Sequence, residues 1–389
     1  SLYEACYIEK NESVIAYLAS RYQFIYIDEF QDISQIQYAI FKVYGSGTKQ
    51  VVAIGDDDQT IYSWRGSDNT IITKKFANDF SPTINNLSIN FRCPSNILNA
   101  IIPSIKCNTK RFTKDLKSSR DGGVVRYKGF GNYRTMSSTL SNLVKKDVKD
   151  GLSVAILCRV NSDGLMPALI LDADSSISFS ISSDGMTLES YIGRSVINII
   201  KLFTEKYTSA VKSALGMLVW DNRGISELMK VCKNNNLDIW TIDSKDLSYS
   251  CPEIAGLLLN WRKIRQEDEL KALHVVLEYY RISVFSKDTQ FNRVAKSVIS
   301  SVANLLDYYD FDNALGFLNE LENVNDRLKA RKRVNNCMVR IATVHEFKGK
   351  EADSIYVWND TNEVYPYKKA LDLGEDSDEM EEERRIHYI

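Results

Sequence analysis

The sequence predicts an α/β protein in which parallel-sheet domains are interrupted by an all-helical region. Short apolar runs rich in β-branched residues alternate with helical patterns in the first part of the chain and return near its end. Between about 191 and 333 the strand signals vanish and long helical patterns dominate. The 389 residues are enough for two or three domains, each with an ample core.

Three apolar runs near the start of the chain predict buried parallel strands. They are FIYID, VVAIG and LSINF, at 24–28, 51–55 and 87–91. Helical patterns at 33–44 and 69–80 separate them. Strands joined by helices are typical of a parallel, doubly wound sheet.

The same alternation resumes beyond a basic connector at 106–120. VVRYKGF predicts a strand, a helix is expected near 134–149, and VAILCRV predicts the next strand. MVRIATV and SIYVWN restore the α/β pattern after the helical region. We therefore expect a first α/β domain at 1–92, a second at 93–190 and 334–389, and a helical insertion at 191–333.

The composition excludes several classes of protein. The net charge is −2, so no global positive field marks a nucleic-acid binder, although a cleft can still concentrate positive charge. The seven cysteines are scattered and only three histidines occur, which predicts reduced thiols in a cytoplasmic protein and no zinc site. No apolar run approaches the ~18 residues of a membrane helix, so no membrane partner is expected.

Asp28 and Glu29 close the first predicted strand. Ligands of open α/β sheets bind at the carboxyl ends of the strands. Carboxylate oxygens there can hold Mg²⁺ on nucleotide phosphates, and a neighbouring carboxylate can orient or deprotonate an attacking water. This pair therefore predicts a magnesium nucleotide as the ligand.

The stretch GDDDQTIYSWRGS follows the second predicted strand. Gln59 is placed to sense a terminal phosphate or its attacking water. Tyr62 and Trp64 are either core aromatics or a stacking surface for bases. The polar, glycine-flanked surroundings of Trp64, with Arg65 beside it, favour the surface.

Arg92 lies in LSINFRCPSNI, between the third predicted strand and a helix that a proline starts. An arginine at a strand end near phosphates can neutralise the charge that develops during phosphoryl transfer.

These stretches resemble successive motifs of the UvrD/Rep family of superfamily 1 DNA helicases: DEFQD, GDDDQTIYSWRGS and NFRCPSN. Two later stretches, TVHEFKGKEAD and EEERRIHYI, resemble the family's Thr-x-His-x-x-Lys-Gly-x-Glu motif and the start of its last motif. NRGIS is similar to a turn of the family's inserted helical subdomain, with Ser226 in place of a glycine. The resemblance implies RecA-like (P-loop NTPase-type) parallel-sheet domains with an inserted all-helical subdomain.

The resemblance also implies three sets of site residues. The catalytic set is Asp28, Glu29, Gln59 and Arg92. The nucleotide-binding set is Phe91, Arg92, Glu351 and Gln59. The DNA-binding set is Tyr62, Trp64, Arg65, Thr343 and His345.

Within these sets the resemblance implies a role for each nucleotide contact. Asp28 and Glu29 would hold Mg²⁺, and Glu29 would activate water. Gln59 and Arg92 would contact the γ-phosphate of ATP. Phe91 falls where the family usually has a tyrosine stacking on adenine, so the π-face is kept and the hydroxyl is lost.

Glu351 would hydrogen-bond the ribose. Its neighbours Lys350 and Ala352 depart from the family's usual leucine and phenylalanine, which affects local packing more than the role of the carboxylate.

A helicase of this kind also needs a G-x-x-x-x-G-K-[ST] loop to cradle the phosphates. The Gly-Lys pair of this sequence, Gly349-Lys350, is followed by Glu351 and does not fit. The family's Thr-Arg pair beyond the last motif is also not among these residues. We therefore expect part of a longer helicase that does not hydrolyse ATP by itself, because the phosphate cradle and its positioned charge are missing.

The parent protein would be an ATP-driven motor that moves on single-stranded DNA, in the 3′-to-5′ direction, and separates duplex DNA in repair or replication. Its ligands would be ATP, Mg²⁺ and single- and double-stranded DNA, with repair or replication proteins as candidate partners. The basic segments 106–120 and 327–340 are either backbone-tracking surfaces or plain solvated faces. Two other readings stay open: a non-catalytic module that binds DNA or a partner, and the motor part of a helicase–nuclease.

Overall fold

The computed structural model describes residues 11–287, 289–332, 334, 337–361 and 364–389. The chain divides into two compact units. The first unit takes in the chain up to Lys128 together with Asp360–Ile389, and the second unit is Gly129–Asn359.

The helices and strands of the first unit alternate along the chain. They are α1 (Glu12–Ala19), β1 (Phe24–Ile27), α2 (Gln35–Gly45), β2 (Gln50–Ala53), α3 (Phe76–Phe80), β3 (Ile89–Asn90), α4 (Ser95–Ile105) and β4 (Lys117–Ser118).

Strands β1 and β2 are parallel, in a register that pairs Phe24 with Gln50 and Ile27 with Ala53. Helix α2 joins them. It begins with a capping box in which the Ser34 side chain accepts the Gln37 N–H and the Gln37 side chain accepts the Ser34 N–H. The predicted β-α-β rhythm is confirmed for this part of the chain.

The prediction that these strands are buried is wrong. Phe24 and Tyr26 of β1 are 54% and 65% exposed, whereas Ile25 and Ile27 on the other face pack against an aromatic cluster around Phe30. Side chains alternate across a strand. One face of β1 is therefore covered by the cluster, while no layer among the described residues covers the other.

The third predicted strand is shortened to Ile89–Asn90, and it pairs with β4 instead of with β1 or β2. VVRYKGF, predicted as a strand, forms none in the structure. Its Val124 and Tyr127 side chains are 69% and 77% exposed, and no described strand pairs with its backbone. A run of alternating apolar residues needs a neighbouring strand to satisfy its backbone groups.

The second unit contains one sheet and a long series of helices. Its elements are α5 (Tyr133–Lys149), β5 (Val154–Cys158), α6 (Leu165–Asp172), β6 (Phe179–Ile181), α7 (Tyr191–Thr204), α8 (Ser209–Gly216), α9 (Arg223–Asn234), α10 (Ser244–Ser250), α11 (Pro252–Glu267), α12 (Glu269–Tyr279), α13 (Gln290–Tyr308), α14 (Ala314–Arg331), β7 (Val339–Thr343), α15 (Val344–Phe347) and β8 (Ser354–Val357).

The sheet of the second unit has the strand order β6-β7-β5-β8, with every pairing parallel. Strand β5 is buried along its whole length, as the sequence predicts. Strand β6 was not predicted. It lies beside β7, although helices α7 to α14 separate the two strands in sequence, so the predicted helical region interrupts this sheet.

The chain returns to the first unit at Asp360 and forms α16 (Lys368–Leu373) and α17 (Asp378–Tyr388) there. Residues 93–128 and 360–389 thus pack with the first unit. The domain boundaries expected from the sequence, at 92, 190 and 333, remain predictions. None of the helices in the described ranges is both long and apolar enough to cross a bilayer.

Candidate functional site

The polar residues that follow β1 and β2 meet at one edge of the sheet. Because the strands are parallel and in register, their carboxyl ends lie side by side. Two backbone hydrogen bonds continue this pairing beyond the strands: the Ile54 N–H donates to Ile27 O at 2.8 Å and the Phe30 N–H donates to Ile54 O at 2.9 Å. Asp28 and Glu29 therefore lie beside the turn that begins at Gly55.

Asp28 and Glu29 are both exposed at this edge. The Asp28 carboxylate accepts the Glu29 N–H at 2.9 Å, and Glu29 has a φ of 50°, in the left-handed region. Non-glycine residues seldom adopt this conformation and usually do so at turns or sites. Here it turns the chain sharply after the strand and leaves both carboxylates accessible.

Gln31 connects the two strand ends, a role that the sequence did not predict. Its side chain is buried, its Nε2 donates to Glu29 Oε2 at 2.5 Å, and its Oε1 accepts the Asp56 N–H at 3.0 Å. A Cβ on Gly55 would come within 2.6 Å of that Oε1. The glycine is therefore needed for the close approach, and Glu29 is held relative to the second turn by one amide side chain.

Gln59 is fixed within the second turn by Asp56. The Gln59 Nε2 donates to Asp56 Oδ2 at 2.8 Å, and the Asp56 side chain also accepts the Asp58 N–H at 3.2 Å. Glu29 and Gln59 are thus joined through Gln31 and Asp56. The structure brings together three of the predicted catalytic residues, Asp28, Glu29 and Gln59, at one strand-end edge.

A buried ion cluster also holds this turn. It consists of Asp56, Asp57, Asp58, Arg111 and Lys114. Arg111 forms a two-pronged contact with Asp58, at 2.8 Å from Nε and 2.6 Å from Nη2. Lys114 Nζ lies 2.5 Å from carboxylate oxygens of both Asp56 and Asp57 and 3.0 Å from one of Asp58. Asp57 and Asp58 are 1% and 0% exposed.

Burial and ion pairing together determine the direction in which the pKa of each of these side chains is shifted. Burial would raise the pKa of the Asp58 carboxyl, but Arg111 and Lys114 outweigh it and hold that pKa below its ordinary value. Burial raises the pKa of Asp57, and Lys114 offsets this only in part. Burial would lower the pKa of Lys114, but the three carboxylates raise it well above its usual value.

These contacts change the reading of the basic segment 106–120. The segment was a candidate surface for tracking a DNA backbone. Arg111 and Lys114 are instead turned inward and engaged by aspartates, and Lys110 pairs with Asp378. In this structure Arg111 and Lys114 hold the turn that carries Gln59.

Carboxylate oxygens occur at two places along this edge, and only one of the two suits a metal ion. Oxygens of Asp56, Asp57 and Asp58 lie within 4.8 Å of one another, but the Lys114 ammonium already takes the place of a cation among them. The exposed carboxylate of Asp28, with that of Glu29 beside it, offers the hard oxygen ligands that Mg²⁺ prefers. The residues at the end of β1 fit the metal, and the aspartate cluster does not.

A short 3₁₀ turn, Ser63–Arg65, carries the predicted DNA-binding aromatics of this stretch. Trp64 is 67% exposed, and the rings of Tyr62 and Trp64 lie 6.4 Å apart in an edge-to-face arrangement. The Arg65 guanidinium lies 4.6 Å from the Trp64 ring centre and 5.3 Å from that of Tyr62. The expected surface position of Trp64 is confirmed. We call residues 62–66 the stacking turn.

Phe91 and Arg92 follow β3 and are both exposed, Phe91 at 74%. The Asn90 side chain accepts the N–H groups of Arg92 and Cys93, at 2.9 and 2.8 Å, and so fixes the turn that presents them. Burial, followed by the charges of Asp56 and Asp58, raises the pKa of Tyr388, and Cys93 adds to the shift. Tyr388 at the end of α17 thus lies near both the Gln59 turn and the residue after Arg92.

The remaining predicted residues belong to the second unit. Thr343 ends β7, is 8% exposed, and caps α15 by accepting the Glu346 N–H at 3.3 Å. His345 is half-buried in that helix. Glu351 is exposed, just beyond Gly349, whose φ is 80°. Thr343 is thus the last residue of β7, His345 and Glu351 follow this strand, and the roles of all three remain predictions.

Residues 2–81 match the UvrD/REP helicase N-terminal domain, and residues 287–389 match the UvrD-like helicase C-terminal domain. The second match includes helices α13 to α17, and the two matches together include every predicted site residue except Phe91 and Arg92.

Several curated relatives align with nearly the whole chain. A probable DNA helicase II homolog of Rickettsia felis is 25% identical over 98% of this chain and 60% of its own length. The ATP-dependent DNA helicases PcrA of Staphylococcus epidermidis and Staphylococcus aureus are each 24% identical over 98% of this chain and 55% of their own lengths. The chain thus spans little more than half the length of these relatives.

Proposed function

Because the chain belongs to the UvrD/REP helicase family, we propose that it is part of an ATP-dependent DNA helicase. Such a protein would move along single-stranded DNA, in the 3′-to-5′ direction, and separate the strands of a duplex during repair or replication. The observation that carries the proposal is the strand-end edge of the first unit. There Glu29 and Gln59 are joined through Gln31 and Asp56.

In the proposed nucleotide site, Asp28 and Glu29 bind Mg²⁺, which would offset the charge of the ATP phosphates. Glu29 accepts a proton from the attacking water, and Gln59 contacts the γ-phosphate. The link through Gln31 supports this pairing, because it fixes the distance between the carboxylate and the amide. Positioning of this kind contributes much of the rate enhancement of phosphoryl transfer.

Three further residues are proposed to contact the nucleotide, Phe91 and Arg92 of the first unit and Glu351 of the second. Phe91 stacks on adenine, Arg92 neutralises the γ-phosphate, and Glu351 accepts a hydrogen bond from the ribose. The exposure of Phe91 and its place directly before Arg92 support the first two roles. The role of Glu351 rests on its match to the family motif.

In the proposed DNA path, bases stack on Tyr62 and Trp64. The high exposure of Trp64 and the guanidinium of Arg65 over both rings support this assignment. Stacking contributes about 1–3 kcal/mol per base and tolerates any base order, as a motor requires. Thr343 and His345 of the second unit are proposed to contact single-stranded DNA.

A second candidate function applies to these 389 residues alone. They contain no G-x-x-x-x-G-K-[ST] sequence, so we propose that they bind DNA without hydrolysing ATP. A helicase–nuclease remains the third candidate. The reading frame around this sequence separates the three, because it shows whether a phosphate loop or a nuclease domain accompanies these residues.

The purified chain tests the proposal in two assays. It should bind fluorescein-labelled oligo(dT) of about 20 nucleotides, with an affinity that falls as salt rises, and it should release no phosphate from ATP with or without that DNA. Failure to bind oligo(dT) would contradict the DNA-binding role, and DNA-stimulated ATPase from this chain would contradict its proposed inactivity.

Where a phosphate loop accompanies the sequence, the longer protein should be a DNA-stimulated ATPase. Glu29→Gln should then lower its kcat by roughly 10²–10⁴-fold, the usual contribution of a general base. Glu12→Gln is the matched control, since it removes an exposed carboxylate of α1 in the same unit. Equal activities of the two variants would exclude Glu29 as the base.

A further inference from the structure

We propose that Glu382 is a positioning residue that holds the stacking turn in the conformation that binds single-stranded DNA. The inference rests on the proposed function, in which Tyr62 and Trp64 of that turn stack on bases. It assigns a role to a glutamate more than 300 positions away in sequence, on helix α17 of the same unit.

The contact between Glu382 and the turn involves both carboxylate oxygens. The Ser63 N–H donates to Glu382 Oε1 at 3.1 Å, and the Ser63 hydroxyl donates to Glu382 Oε2. Hydrogen bonds to an ionised carboxylate are roughly twice as strong as those between neutral groups. The pair therefore fixes both the backbone and the side chain of the residue before Trp64.

The turn needs such a partner at its start. The Arg65 N–H donates to Tyr62 O at 2.9 Å and the Gly66 N–H to Ser63 O at 2.8 Å, so the later amides are satisfied within the turn. Tyr62, at the N-cap position, caps the turn with no side-chain hydrogen bond. Glu382 supplies from another helix the acceptor that an N-cap side chain usually provides.

The other end of the turn is fastened separately. The Ser67 hydroxyl donates to Asp32 O at 2.7 Å, and the Ser67 N–H donates to Tyr62 O at 3.2 Å. Glu382 and Asp32 thus hold the two ends of a short exposed segment. Loss of the first contact frees the Tyr62–Trp64 side of the turn without releasing the other side.

Helix α17 is a rigid support for Glu382. The neighbouring Glu381 is 2% exposed, accepts the Thr109 N–H at 2.7 Å and pairs with the buried Arg385 at 2.9 Å. Glu383, also buried, accepts the Tyr367 N–H at 3.2 Å. With both neighbours fixed, the helix cannot rotate, and the Glu382 side chain stays directed at Ser63.

Because Glu382 is negatively charged, the direction in which its removal changes the affinity for DNA tests the inference. A carboxylate beside a DNA-binding turn repels phosphates, so its removal should strengthen binding if charge alone matters. Positioning predicts the reverse, because a loosened turn must be ordered again when DNA binds. Charge repulsion alone cannot make DNA binding weaker when this negative charge is removed.

The experiment measures binding of fluorescein-labelled oligo(dT) of about 20 nucleotides to the full 389-residue chain by fluorescence anisotropy. Glu382→Ala should raise Kd by roughly three- to tenfold, the range expected for the net contribution of a typical hydrogen bond. Glu382→Gln keeps one acceptor oxygen and should give an intermediate Kd. The matched control is Glu379→Ala on the same helix, where the carboxylate pairs with Lys369 at 2.9 Å; its Kd should stay equal or fall.

A double-variant comparison separates positioning from a general loss of folding. In a Trp64→Ala background, Glu382→Ala should change Kd little, because the stacking side chain that it positions is gone. Thermal melts by circular dichroism check that each variant folds, and Glu382→Gln carries the test if the alanine variant does not. Unchanged or tighter binding by both Glu382 variants overturns the inference, as does an equal effect in the Trp64→Ala background. Absence of oligo(dT) binding by the unaltered chain overturns the proposed function itself and this inference with it.

Discussion

The two units of the chain bury charged side chains to different extents. The first unit buries several charged residues, namely Asp57, Asp58, Glu381, Glu383 and Arg385. Among the described residues of the second unit, the polar residues that are buried as a whole are serines, threonines and asparagines, set in an extensive apolar core. One charged side chain there, that of Asp172, is 2% exposed and pairs with Arg327. Charges cost several kcal/mol each to bury and add little net stability even when paired. Buried charged groups are therefore more common in the first unit, whereas apolar packing dominates the interior of the second.

The residues of the candidate site in the first unit are likewise held by polar and charged side chains. The residues that carry the proposed catalysis and base stacking lie on turns of the first unit. Gln31, Asp56 and Lys114 hold one turn, and Glu382 holds the other. These supports lie far apart in sequence, so the site depends on the folding of the whole unit.

Removal of one cation from the ion cluster should have the largest effect on the first unit. Arg111→Met leaves the buried Asp58 with only Lys114, and should lower the free energy of unfolding of this unit by about 3 kcal/mol. Hydrogen exchange of peptides covering 50–60 reports that loss. Lys42→Met is the control, because Lys42 pairs with Asp79 at a more exposed position and should cost about 0–1 kcal/mol. Equal rates of hydrogen exchange in the two variants would show that the ion cluster does not support the turn.

A packing change in the second unit should have an effect of similar size but a different character. Phe317 is fully buried in the core of that unit, and Phe317→Ala should cost about 3 kcal/mol through lost burial and a cavity. Urea unfolding followed by tryptophan fluorescence measures it. The loss should be insensitive to salt, and protection of peptides 50–60 should not change. A matching loss of protection in the first unit would show that the two units do not differ as described.

Gln31→Leu tests the link between Glu29 and the second turn. Leucine removes both hydrogen bonds and leaves the Asp56 N–H without its acceptor, at a cost of about 1–3 kcal/mol. Amide exchange at Asp56 should become faster. Gln37→Leu disrupts only the exposed capping box of α2 and should leave Asp56 unaffected. Slow exchange at Asp56 in the Gln31 variant would show that the turn does not need this side chain.

The pH-dependent contact between His387 and Asp360 should have the smallest effect on the free energy of unfolding of the first unit. Asp360 lies 3.6 Å from His387 and raises its pKa above the usual 6.5. A raised pKa in the folded state gives stability that is full below about pH 6.5 and is lost as pH rises through the folded pKa. His387→Gln should therefore cost about 0.5 kcal/mol at pH 6 and nothing at pH 9. Urea titrations at both pH values measure this. Asp360→Asn removes the same ion pair and should give the same pH dependence, whereas a loss that is independent of pH would exclude the ion pair.

Local patterns were enough to predict much of the fold. The apolar runs that end in Asp28 and Gly55 predicted β1, β2 and their parallel pairing, because strand order and direction follow from short β-α-β repeats. The motif around Trp64 also predicted its exposure correctly.

The errors and omissions concern interactions between distant residues. Lys114 and Arg111 were assigned to a solvent-facing basic surface, because nothing local shows that Asp56 and Asp58, more than 50 positions away, engage them. VVRYKGF was predicted as a strand because its pattern fits one, but a strand also needs a partner strand. The roles of Gln31 and Glu382 depend on tertiary contacts in the same way.

Binding of single-stranded DNA by the Trp64→Ala variant tests the central claim most directly. The anisotropy assay with oligo(dT) should show Kd raised roughly tenfold or more, because a stacking platform is lost. Trp220→Ala, which removes a tryptophan that is 97% exposed in the second unit, should leave Kd unchanged. Equal affinities for the unaltered chain and the Trp64 variant, or an equal loss in both tryptophan variants, would contradict the assignment of DNA binding to the stacking turn.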